Sequence, residues 1–214
     1  MLGGIAYAAI RGTAEEVPAA NVIGGLAALD LVFLGAMICW LSWRHPGSWR
    51  ALGIRVTWGA VGAGLGLGAA LYAVVALGVG QLVVWVLEQL SGAPVEPPEQ
   101  LPDDLHGGVA VLAVLVVVVL APIAEELYFR GILFRSVRDV RGPGVGIAVS
   151  AALFGLVHYA PAEGAGELVL PLVMVLTGAV LAVLYERSGN LVVPIAAHMA
   201  FNAIGVTLIL SGWG

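Results

Sequence analysis

Long uncharged stretches recur along this 214-residue chain, at roughly 19–43, 57–87, 106–129, 144–160, 168–185 and 190–211, with turns or charges between them. A helix needs ~20 consecutive apolar residues to cross hydrocarbon, where no water satisfies a backbone left unpaired. The pattern predicts an all-α polytopic membrane protein, a bundle of about six transmembrane helices around a polar intramembrane cavity. Only 11% of the residues are charged, against roughly 25% in soluble domains. No separate soluble domain fits. The chain reads as one integral domain in two parts. Residues 1–105 hold an N-terminal interfacial segment, two spans and an outer acidic loop, and residues 106–214 hold a four-helix core.

Several function classes fall away on composition. Cys39 is the single cysteine, which excludes a disulfide framework and a thiolate metal cluster. A net charge of −5 with no lysine offers no basic face for nucleic acid. Eight of the nine arginines (44, 50 and 55; 130, 135, 138 and 141; 187) fall on alternate connections, which the positive-inside rule makes cytoplasmic. Glu15, Glu16, Glu96, Glu99, Asp103, Asp104, Glu163 and Glu167 fall on the opposite side, so both termini are expected to face out. Residues 1–16 are too short an apolar stretch to span and lack the basic start of a secretory signal; an interfacial helix and an uncertain start both fit. The glycines from Gly62 to Gly68 suit close helix packing.

Against this background, polar groups inside the apolar spans point to function, because ionisable side chains are costly at membrane depth. Glu126 and Arg130 are four residues apart and share a helix face, whereas Glu125 is turned about 100° away. The arginine can pair with Glu126 and leave Glu125 as the base. Pro122 cannot donate to the carbonyl of Val118, so a kink is expected there. Taken alone, this group reads equally well as the charged headgroup end of a helix. Arg135, Arg138 and Arg141 read as topological cations outside the site.

His158 follows Phe154 by one turn, and His198 lies one turn after Pro194 and one turn before Asn202. The Asn202 amide can face a developing oxyanion or orient His198. Pro194 leaves the carbonyl of Asn190 without its helical donor. Singly, each histidine motif reads better as interhelical hydrogen bonding. Three spans each contributing inward-capable polar groups shift the balance to a hydrolytic site. Asp30, in the first span, reads foremost as a packing partner and otherwise as a further carboxylate of the cavity or a sign that the first span is displaced. One tension remains: Glu125 lies about 24 Å along its helix from Val109, near the inner side, and His158 about 21 Å from Gly144, past the midplane.

The three groups, Glu125-Glu126-Leu127-Tyr128-Phe129-Arg130, Phe154-Gly155-Leu156-Val157-His158 and His198-Met199-Ala200-Phe201-Asn202, resemble in order and residue type the motifs of the CPBP family. That family is also called the CAAX protease and bacteriocin-processing, or Abi, family. The resemblance covers about residues 108–205. It implies an intramembrane endopeptidase in a bacterial or archaeal cell membrane, acting on membrane-associated or prenylated-type peptide substrates. Glu125 and His158 would activate water, His198 and Asn202 would stabilise the oxyanion, and Glu126, Arg130 and Phe154 would support them. No cofactor is expected. The alternative is zinc held by His158, His198 and a glutamate, a workable catalytic set. A non-catalytic membrane binding or bacteriocin immunity protein is the competing class. A proton-coupled transporter would need repeats or broken helices that the sequence does not display.

Overall fold

The computed structural model describes residues 18–45, 47–102, 105–159 and 165–212. The expectations for residues 1–16, Asp103, Asp104 and Glu163 lie outside them. The described chain is helical: α1 Ala19–Arg44, the short α2 Ser48–Ala51, α3 Trp58–Ser91, α4 Gly107–Arg141, α5 Pro143–Leu156, α6 Val169–Ser188 and α7 Val192–Leu210. Five helices are long and apolar enough to cross a membrane: α1, α3, α4, α7, and α6 with the single turn before it. This is an integral membrane helix bundle.

Two expected spans are corrected. The fourth, expected over 144–160, is a helix of only 14 residues, about 21 Å long. It gives way to a tight turn at Val157 and His158, where the N–H of His158 donates to Gly155 and that of Tyr159 to Leu156. The third, expected to end at 129, runs on to Arg141 as one helix of 35 residues. Arg130 is therefore in the protein interior instead of a connection, and it is fully buried. The extra turns also remove the depth conflict, because Glu125 now lies near the middle of α4 and His158 just past the end of a short helix.

Helix α4 is not regular. Its hydrogen bonding widens from i→i−4 to i→i−5 over Leu115–Leu120 and again over Leu127–Phe134, on either side of Ala121–Glu126. Helix α3 widens in the same way over Tyr72–Gly80. Such wide turns in α-helices often occur where side chains must be re-aimed.

Small residues set the closest crossings, as helix packing in lipid favours. Helices α3 and α7 run parallel. A Cβ on Gly64 would lie 2.6 Å from the Ala196 Cβ and the Val193 carbonyl oxygen, and one on Gly68 would run into the Ala197 carbonyl. Helices α5 and α6 meet through Gly155, which faces Pro171 and Val175, and Gly178, whose missing Cβ makes room for Phe154 at 3.1 Å.

The two ends of the bundle are tied separately. At the arginine-rich end, Asn190 accepts from the Arg55 N–H (3.1 Å) and the Val192 N–H (3.2 Å) and donates to the Arg55 carbonyl (2.9 Å). Tyr185 donates to the Leu52 carbonyl nearby (3.2 Å). Trp43 and Trp58 stand 80% and 93% exposed at this end, where indole rings suit a membrane interface. At the other end Gly166 packs against the backbone of Glu96.

Candidate active site

The polar cluster is built on one carboxylate oxygen. Oε1 of Glu126 accepts from Arg130 Nη1 at 2.7 Å and, from across the bundle, meets His198 Nδ1 at 2.9 Å. The i, i+4 spacing on α4 makes the first contact local. The second joins α4 to α7. Arg130 then donates through Nη2 to the Gly178 carbonyl of α6 at 2.9 Å. Its guanidinium carbon lies 4.6 Å from the centre of the Phe154 ring on α5. One ion pair thus contacts four helices, α4 to α7. Among the described residues, Arg130 Nε and Glu126 Oε2 are buried without hydrogen-bond partners.

Phe154 is fully buried at the centre of the cluster. Its ring lies 4.7 Å from that of His158 and 5.7 Å from that of His198, centre to centre, and packs edge-on against Phe129. Phe154 thus lies beside His158 with the two rings tilted by 49°, and it also reaches His198 edge-on.

Hydrogen bonds assign the imidazole faces. His158 Nδ1 lies 2.6 Å from the Phe154 carbonyl, which can only accept, so Nδ1 carries the hydrogen and, in the neutral ring, Nε2 keeps a lone pair. His198 Nδ1 is turned to Glu126, and its Nε2 sits 3.8 Å from Oε2 of Glu125. Glu125, only 4% exposed, interacts electrostatically with both histidines. The structure therefore brings Glu125, Glu126, Arg130, Phe154, His158 and His198 together. The i, i+4 pair of Glu126 and Arg130 is present as the spacing predicted, Glu126 also takes His198 Nδ1, and Glu125 stands beside the other nitrogen of that ring.

Asn202 stands one turn along α7, and its amide donates to the carbonyl of Val117 on α4 at 2.8 Å. Asp30 is 6% exposed. Its face of α1 packs on α4, Ile23 in a cluster with Ala113 and Val116, and Met37 and Leu41 in another with Ala124 and Leu127. Asp30 lies midway along that face, and its electrostatic interactions include one with Glu125. The sequence signal for this buried carboxylate is its charge in an apolar span; where it sits in the bundle depends on how α1 docks. His45, Arg138 and Arg141 lie away from the cluster, and Arg138 pairs with Asp139 and Glu186.

The cluster is packed tightly, with Glu126, Arg130 and Phe154 fully buried and His198 3% exposed. Two surface grooves, one along Cys39, Trp40, Ser42 and Trp43 and one along Glu88, Gln89 and Gly92–Pro94, lie elsewhere. His158, His198 and a glutamate are the donors a catalytic zinc would use. Among the described residues no three such side chains converge as a metal site.

The family model described as type II CAAX prenyl endopeptidase Rce1-like matches residues 107–204, from the start of α4 into α7. The match contains every residue of the cluster, and Asp30 lies outside it. Neither a curated protein nor a solved structure matches the chain.

Proposed function

On the premise that residues 107–204 carry the type II CAAX endopeptidase pattern, we propose that this membrane protein hydrolyses peptide bonds of membrane-associated substrates with a water activated by Glu125 and His158. The family match supports a CAAX-type intramembrane endopeptidase in general terms. The observation that carries the finer reading is the division of labour between adjacent carboxylates: Arg130 and His198 hold Glu126, and Glu125 faces the histidines.

In the reaction, Glu125 takes a proton from water while Nε2 of His158 accepts the second hydrogen bond and orients it. The new C–O bond converts the scissile carbonyl to an oxyanion. His198, doubly protonated and held through Nδ1 by Glu126, donates from Nε2 to that oxygen. The C–N bond then breaks, and the proton on Glu125 passes to the leaving amine. Arg130 balances the charge of Glu126 and keeps its carboxylate in place. The arginine-rich end is cytoplasmic on this reading, with both termini outside.

Cleavage of a membrane-anchored peptide library by purified protein tests it, with wild type, Glu125→Gln and His158→Ala each assayed with and without a zinc chelator. Chelator-resistant cleavage that both substitutions abolish is expected. Chelator-sensitive cleavage would move the chemistry to zinc. Equal cleavage by all three proteins, or none by any, would favour a non-catalytic membrane binder, for which the close packing of the cluster also speaks.

A further inference from the structure

We propose that Asn202 is a positioning residue for the carboxylates of α4, and that it acts by supplying the hydrogen bond that Pro122 cannot make. The proposal rests on the hydrolytic reading above.

The argument starts with the pitch of α4. The Ala121 N–H donates to the Val116 carbonyl, an i→i−5 bond at the end of the first wide stretch. One residue further, the same ladder would bring the N–H of residue 122 to the carbonyl of Val117. Residue 122 is proline and has no N–H. The orphaned carbonyl is thus that of Val117, one residue from the Val118 that regular helical geometry implies. It is the carbonyl to which the Asn202 amide donates, at 2.8 Å. Pro122 is itself fully buried, and hydrocarbon surroundings offer no water as a substitute.

The other proline near the site makes a useful contrast. Pro194 deprives the Asn190 carbonyl, but that oxygen receives the Val193 N–H and the Ser188 hydroxyl, both at 3.2 Å from its own neighbourhood. Val117 is served from a different helix, across 85 residues of sequence.

Two contacts from one face of α7 therefore bracket the proline turn. Asn202 grips α4 before it, at Val117, and His198 grips it after, at Glu126. The bracketed turn sets the direction in which Glu125 leaves the helix. Without the Asn202 bond, the wide stretch is free to tighten or kink, and a change of one residue in register rotates a side chain by about 100°.

The test is a double-substitution cycle with kcat, KM and melting temperature in detergent as readouts. Asn202→Leu removes the donor at similar volume, and Pro122→Ala restores a backbone N–H. Asn202→Leu is expected to lower kcat by about tenfold or more with KM within about twofold, and to change kcat by less than about threefold when residue 122 is alanine. Melting temperature is expected to follow the same pattern. Equal loss of kcat in both backgrounds would overturn the proposal and return Asn202 to direct contact with substrate. A lower melting temperature with unchanged kcat would also overturn it, leaving a structural bond only. If Asn202→Leu folds only in the Pro122→Ala background, the proposal stands; if it folds in neither, it fails. Should the wild type cleave nothing, the hydrolytic reading fails, and the melting cycle still decides whether Asn202 replaces the missing N–H.

Discussion

Glu126 and His198, 72 residues apart in sequence, meet at 2.9 Å through one carboxylate oxygen that also accepts from Arg130. That shared oxygen makes the supporting shell and the chemistry parts of one network, and it separates the consequences of changing each member.

Arg130→Met should be strongly destabilising, by about 3–5 kcal/mol, because it strands the Glu126 carboxylate in the interior. Adding Glu126→Gln to it should recover part of the loss. Unfolding of the two variants in mixed detergent, compared side by side, checks the order; a double variant no better than Arg130→Met would show that the ion pair is not the source.

Glu126→Gln alone keeps the shape of the side chain and removes the charge that holds His198. It also leaves the buried Arg130 without its counter-ion and should lower the melting temperature, and in the protein that folds kcat should drop by about 10- to 100-fold, the scale of a misplaced catalytic group. Steady-state cleavage kinetics on protein of verified melting temperature make the measurement, and wild-type kcat would count against the role given to His198.

Gly68→Ala places a methyl group against the Ala197 carbonyl, one residue from His198. A cost of about 1–3 kcal/mol is expected from pushing α3 off α7. Gly25→Ala, which meets nothing within 4 Å among the described residues, is the control and should be neutral or slightly stabilising in thermal melts.

Asn190→Ala removes a side chain that bonds to Arg55 on both its N–H and its carbonyl and also to the Val192 N–H. A loss of about 1–3 kcal/mol is expected. Proteolysis should open the Arg50–Thr57 connection first, because that segment loses its anchor to the start of α7; an unchanged cleavage pattern would argue against the clasp.

Hydropathy made most of the spans legible, because an apolar run of the required length has few other uses. The bounds of α4 were not legible: Arg130 looks like a headgroup cation until its partners are known, and one of them is the Gly178 carbonyl on another helix. The short α5 was hidden for the opposite reason. Leu156 and Val157 continue the apolar pattern through the point where the backbone turns.

The cluster itself could be assembled from spacing, because i, i+4 pairs on three spans leave few arrangements that satisfy them. Wide helical turns have no such periodic signature, so the effect of Pro122 was placed one carbonyl away from where it falls. Asp30 lay in plain view as a charge, but its distance from Glu125 depends on the docking of α1.

The glycine notch on α3 also has a consequence for the order of events during synthesis. Gly64 and Gly68 emerge from the ribosome long before Val193, Ala196 and Ala197, the groups that fill the notch. A newly inserted α3 must therefore keep that groove open until α7 arrives. The seat of His198 thus forms only after α4, α5 and α6 have been made.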